Sequence, residues 1–153
     1  MSFGEFLALV HVVAAIVWVG AAIGLEITGH RAIKRADDGV MKAFAESFET
    51  LGYVFGVASA LVLGFGIWAT VHSPWANFSD LWVWLSLVIN GVLILVGPLF
   101  FAPNAKRLVA DSRAKGGNHP DVLARAKRVA TVAHLDSVAA LFVVYLMVAK
   151  PGL

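Results

Sequence analysis

Four long apolar stretches, separated by charge or by a turn, leave this chain few ways to fold. They run from about Phe3 to Thr28, Phe48 to Val71, Leu81 to Ala102 and Val129 to Ala149. A helix needs about 20 predominantly apolar residues to cross the hydrocarbon of a bilayer. Inside that hydrocarbon no water meets the backbone N–H and C=O groups, so a spanning segment satisfies them internally as helix. The expected fold is all-α: a polytopic membrane four-helix bundle, one transmembrane domain over residues 1–153. Composition points the same way. Only 14% of residues are charged and 59% are hydrophobic, whereas a soluble domain carries about 25% charge. The first stretch has no positive lead and is too long for the core of a signal peptide. It is expected to be an uncleaved helix.

Lysine and arginine set the expected orientation. Arg31, Lys34, Arg35 and Lys42 follow the first stretch, and seven basic residues from Lys106 to Arg128 follow the third. The hairpin Ser73 to Asp80 has none, and Lys150 is the only other basic residue. The positive-inside rule places loops 29–47 and 103–128 in the cytoplasm and both termini outside, on the periplasmic face of a bacterial inner membrane. Trp68, Trp75, Trp82 and Trp84 bracket the outer hairpin as an interfacial aromatic belt, with Pro74 and Asn77 at its turn. Gly116-Gly117-Asn118 breaks the second basic loop, and Pro120 suits the first turn of a following helix. The third helix is expected to continue to about Ala114 and the fourth to begin near Pro120. Glu46 and Glu49 lie at the cytoplasmic entrance of the second helix, within reach of basic residues.

Helices in lipid gain little from hydrophobicity; small residues let them approach and gain dispersion contacts. Gly52, Gly56, Ala60 and Gly64 form one stripe, and Gly20 and Gly24 another small pair. Both patterns are read as packing within the chain, the alternative being contact with another subunit. His11, Ala15, Trp18, Ala22 and Glu26 share one face of the first helix, with Gly20 and Gly24 roughly opposite. That two-faced helix is expected at the centre of the bundle.

Ionisable groups inside a membrane are costly and face protein, water or a cofactor. His11, His134 and Asp136 are such groups, with Asn90 neutral and Glu26 and His72 nearer the interfaces. By helical rise, His11 and His134 differ by about 14 Å in depth. Two axial ligands of one haem iron lie about 4 Å apart, so these two cannot share one. Met147, near the outer end of the fourth helix, matches His11 better, and a His/Met haem is chemically sound. The plainer reading of His11 is a hydrogen bond to a neighbouring helix, and of Trp18 a place in the core. Asp136 points away from His134; Asn90 lies within about 6 Å of it in depth and is its expected partner. Glu26 and His134 share the inner half, where a bond between them is structural or a short proton relay.

The absence of cysteine excludes disulfides, thiolate nucleophiles, Cys-ligated zinc and iron–sulfur clusters. No phosphate loop, nucleophile elbow, HExxH or EF-hand occurs. The net charge of +2 is confined to short loops and does not suit nucleic acid.

The run His11-Val-Val-Ala-Ala-Ile-Val-Trp18-Val-Gly20 resembles the first helix of a family of predicted integral membrane proteins of unknown function. Leu81-Trp82 through Gly97-Pro98 to Lys106-Arg107-Leu108, and the tail Leu146 to Pro151, resemble the same family. That resemblance implies a fold and no activity. More distantly, the His-to-Trp spacing followed by Gly is similar to HemJ-type protoporphyrinogen oxidases and copper-resistance D proteins. It implies haem b on His11; the third-helix Lys expected of the HemJ type is absent between Trp82 and Phe101. The expected function is a non-catalytic accessory or scaffold subunit of a larger membrane complex, touching lipid and other subunits or a second copy. The alternatives are a haem-b redox protein or quinone-linked oxidoreductase, with His11 as metal ligand beside Trp18 and Met147, and proton or metal-ion transport by Glu26, His134 and Asp136.

Overall fold

A computed structural model describes residues 3–72 and 76–150. Pro74 and Trp75 of the hairpin, and Pro151 of the tail, lie outside the described residues. The described chain forms four long helices: α1 Phe3–Arg35, α2 Asp38–Val71, α3 Leu81–Lys115 and α4 Pro120–Ala149. All four are long and apolar enough to cross a membrane. Sequence neighbours pack side by side, and α4 closes the ring against α1. α1 packs chiefly on α2 and α4, so it is one corner of a square and not the centre that its two faces suggested.

The helices outrun the membrane. At ~1.5 Å per residue, α1 and α2 are each about 50 Å long against ~30 Å of hydrocarbon. The stretches 29–47 and 103–128, expected in the cytoplasm, are helical except at two sharp turns; α3 ends at Lys115 and α4 begins at Pro120, close to the expected Ala114 and Pro120, whereas the helix through most of 29–47 was not expected. At the first turn Ala36 has φ of 50° and Asp37 caps α2 by accepting the Val40 N–H at 2.9 Å. At the second, Gly116 has φ of 94°, and the His119 imidazole caps α4 by accepting the Asp121 N–H. The two stretches are rich in Ala, Lys and Arg, good helix formers, and the charge of the Lys and Arg hides the helix from a hydropathy scan.

The best-sealed core lies in this extension. Ala32, Met41, Ala45, Leu108, Val122 and Ala126 are at most 1% exposed and belong to one cluster. Water surrounds the helices there and the hydrophobic effect drives them together, which lipid does not do. Charges ring that core: Arg113 pairs with Glu46 at 2.8 Å, Lys115 with Asp121 at 2.8 Å, and Arg125 with Asp111 at 3.3 Å. The Arg113 pair bears out the placing of Glu46 within reach of a basic residue.

α3 changes pitch at Gly97–Phe101, a single π-helical turn in which the Ala102 N–H reaches back to the Gly97 carbonyl. Pro98 and Pro103 lack the N–H groups that would bond the Ile94 and Leu99 carbonyls, so the regular ladder cannot run through. At the hairpin end Trp68 and Trp84 are exposed, as belt residues should be, but Trp82 is only 6% exposed and belongs to the core.

Candidate functional site

Directly inward of the sealed extension the helices part. Each of the four supplies a face. α1 gives Trp18, Ala22 and Glu26, three residues at helical spacing; α2 gives Phe48, Gly52 and Gly56. α3 gives Leu93, Gly97 and Phe101, and α4 gives Ala133, Asp136 and Ser137. Together they bound a chamber of about 610 Å³. The wall is apolar and aromatic, with Glu26, Glu49, Asp136 and Lys106 as its charged groups. The π-helical turn widens α3 just where it meets this space. A second hollow, of about 640 Å³, lies between the outer faces of α1 and α2. Its only polar side chain is Tyr53, so it offers lipid a groove and no chemistry.

The glycine stripes have a different role from the one expected. An added Cβ at Gly20, Gly24, Gly52, Gly56 or Gly64 would meet no atom within 4 Å, and Ala60 is exposed. These residues do not bring helices of this chain into contact. Gly52 and Gly56 instead make room for the chamber. The close helix contacts fall at other glycines: a Cβ at Gly29 would lie 2.7 Å from Phe44, and one at Gly66 would lie 3.0 Å from His11.

His134 Nδ1 donates to Glu26 Oε1 at 2.5 Å, joining α4 to α1 in the pairing the sequence made available. Asn90 and Asp136 are not joined. Asn90 Oδ1 and Asp136 Oδ1 are both enclosed, and neither has a hydrogen-bond partner in the protein. Asp136 lines the chamber wall and Asn90 does not.

His11 lies outside that wall as well. Its Nδ1 donates to the Val62 carbonyl at 2.8 Å, and its ring occupies the notch left by Gly66. Nε2 is left with the lone pair. Met147 packs with Trp82, Val83 and Leu146, in a different cluster from Trp18, Ala14, Ala58, Val62 and Ala140. The three residues considered for haem are thus divided among separate packing groups, and only Trp18 faces the chamber. Among the described residues no three His, Asp or Glu side chains gather as a metal site. Glu49, which the sequence reading left at the membrane entrance, and Lys106, which it left in the basic loop, are chamber residues; Gly97-Pro98, quoted only for its resemblance, is the signal for its α3 wall.

A family model for predicted integral membrane protein (DUF2269) matches residues 5–151. The chain belongs to that family. This DUF2269 protein is an integral membrane protein with four transmembrane helices, as its sequence and structure each require. No curated protein and no solved structure matches it. The DUF2269 match covers the whole chamber wall, from Trp18 to Ser137.

Proposed function

We propose that this protein is a membrane-embedded binding subunit, without catalysis of its own, that holds a lipid-soluble molecule between its four helices. The chamber carries this reading. Its volume of about 610 Å³ falls within the 300–1,000 Å³ typical of small-molecule sites, which are mostly apolar with a few placed polar groups. Trp18, Phe48, Phe55 and Phe101 suit a flat or branched apolar body. Glu26 and Asp136 suit a hydrogen-bond donor or a cationic end.

Native mass spectrometry of protein extracted in mild detergent tests this. The wild type is expected to carry one retained small-molecule adduct, and Gly56→Leu, which fills the chamber, is expected to lose it. A wild type of bare mass, or an adduct indifferent to Gly56→Leu, overturns the reading. An absorption spectrum of the same sample addresses haem b: a Soret band lost in His11→Ala would assign that ligand.

A second reading, an accessory or scaffold role in a larger complex, is favoured by Gly20, Gly24 and Gly64. They are exposed and touch nothing in this chain, as expected of helix faces kept smooth for another subunit or copy. Native sizing tests it: Gly20→Leu is expected to release a smaller species, and a wild type already the size of one chain counts against it.

The basic residues of the helical extension, Arg31 to Lys42 and Lys106 to Arg128, support an extension in the cytoplasm and termini outside a bacterial inner membrane.

A further inference from the structure

The seams of the helix ring are not equally fastened. The His11 bond to the Val62 carbonyl ties α1 to α2, and His134 with Glu26 ties α1 to α4. α3 meets α4 through Leu146 against Trp82 at one end and the Arg125 bond to Asn104 at the other. α2 meets α3 where Phe48 and Phe101 stand edge to face, their ring centroids 6.0 Å apart. Inward of that contact α2 packs far more on α1 than on α3. The two helices run antiparallel, so one turn inward brings Gly52 to the level of Gly97. Both line the chamber, and a Cβ on either would meet no atom within 4 Å. Beside them, Tyr53 and Val57 belong to the chamber wall and also to the outer hollow between α1 and α2. The chamber therefore reaches the outer surface of α2. Across the gap on α3 stands Pro98, a chamber residue that is exposed.

The gap opens into one leaflet. Counted from the inner ends of the apolar spans, Gly52 and Gly97 lie about 6–8 Å inside the hydrocarbon. The α2 wall of the chamber, from Phe48 to Ser59, rises about 16 Å. That is close to half of a hydrocarbon core ~30 Å thick, the depth that one phospholipid chain occupies. At the foot of the gap Glu49 on α2 and Lys106 on α3 line the chamber. Among the described residues neither side chain has an ion-pair or hydrogen-bond partner. A carboxylate and an ammonium left open at the membrane surface match a headgroup that carries an ammonium and a phosphate.

We propose that the gap between α2 and α3 is a lateral doorway for a zwitterionic phospholipid of the leaflet on the side of the helical extension. One acyl chain passes Gly52 and Gly97 into the chamber, while the headgroup stays outside with its ammonium at Glu49 and its phosphate at Lys106. No bond is made or broken. This rests on the chamber being a binding site for a lipid-soluble molecule, and it names the class of that molecule and its way in.

Trp18 and Ser137 line the chamber and are buried, at 7% and 6% exposure, whereas Ile16 faces outward. Full-length protein is placed in liposomes doped with phosphatidylethanolamine that bears a photoactivatable diazirine on one acyl chain. After illumination, mass spectrometry locates the label. Trp18 and Ser137 are expected to take it, as Ile16 does. Gly52→Phe, which fills the gap, is expected to cut label at Trp18 and Ser137 at least about tenfold, with Ile16 unchanged. Gly97→Leu, from the other side of the gap, acts alike and decides the matter if Gly52→Phe does not fold. Ala130→Phe adds the same bulk on the α4 wall, away from the gap, and is expected to leave the label within about twofold. Phosphatidylglycerol with the same chain lacks the ammonium and is expected to label the chamber at least about threefold less. A retained adduct in native mass spectrometry with Trp18 and Ser137 unlabelled would overturn the doorway and leave the chamber a site for another molecule. A bare mass with both residues labelled would keep the doorway and remove tight retention. Chamber label indifferent to the plugs, lost equally in Ala130→Phe, or equal for the two headgroups would overturn the proposal.

Discussion

Glu26 on α1 and His134 on α4, 108 residues apart in sequence, meet at 2.5 Å and close the ring of helices across the chamber wall. The contact fixes the spacing of two helices whose apolar faces otherwise slide on lipid as easily as on each other. Hydrogen bonds between membrane helices average about 0.6 kcal/mol and reach about 1.7. His134→Leu alone is expected to cost near the upper end of that range, because the Glu26 carboxylate is left without its donor. The pair His134→Leu with Glu26→Leu is expected to be close to neutral. Thermal unfolding in detergent across the double-mutant cycle measures both, and a double variant as damaged as the sum of the singles would deny the coupling.

Glycines divide by what stands opposite them. A Cβ at Gly117 would lie 2.6 Å from the Asp38 carbonyl oxygen and 2.8 Å from the Met41 Cβ, neither of which can move aside. Gly117→Ala is expected to destabilise by about 1–3 kcal/mol through overpacking. Gly20→Ala and Gly24→Ala meet open space and are expected to gain about 0.5–1 kcal/mol from helix propensity. Thermal melts of the protein as extracted in mild detergent separate the two classes. A loss at Gly20 or Gly24 would mean that another chain covers that face.

The notch at Gly66 holds the His11 ring. Gly66→Ala would set a methyl 3.0 Å from Cε1 and 3.1 Å from Nδ1, displacing the ring from the Val62 carbonyl. The expected cost is about 0.6–1.7 kcal/mol, that of one interhelical hydrogen bond. In a His11→Ala background the same substitution is expected to cost nothing. A Gly66→Ala penalty that persists without the imidazole would show that the notch serves something else.

Hydropathy made the four spans legible, since nothing but helix satisfies a backbone in hydrocarbon. The Gly116-Gly117-Asn118 break and Pro120 made the α3 and α4 part of the extension legible too, but the hydropathy scan hid the part on α1 and α2, because the charge of Arg31, Lys34, Arg35 and Lys42 outweighs the apolar residues between. Periodicity was the signal there: Met41, Phe44, Ala45 and Phe48 fall on one face, as do Ala105, Leu108, Val109 and Ser112. The chamber was legible on α1, where Trp18, Ala22 and Glu26 share a face. On α3 it was not, because Pro98 and Pro103 shift the helical phase and regular spacing then misassigns every residue beyond. A small-residue stripe such as Gly52 and Gly56 marks where space is kept, and its meaning depends on the opposing helix, which the stripe does not name.

Asp38 ties the two turns of the extension together. Its carboxylate accepts from the Lys42 ammonium at 2.8 Å and from the backbone N–H of Gly117. The Lys42 bond first, and the Gly117 bond second, hold its carboxyl below the ordinary 3.8. Lys115 lowers Asp121 in the same way, at the start of α4. The folded chain thus binds the proton on Asp38 less readily than the unfolded chain. The stability this provides is complete above the unfolded value and is lost as pH falls through the lower folded one. Asp38→Asn cannot form the ion pair at any pH. The melting temperature of Asp38→Asn is therefore expected to lie below that of the wild type at about pH 6, with the gap closing towards about pH 3. Circular dichroism melts of the two proteins in the same detergent measure that gap. A gap that stays constant, or widens in acid, would mean that the carboxylate charge plays no part in holding Gly117 against α2.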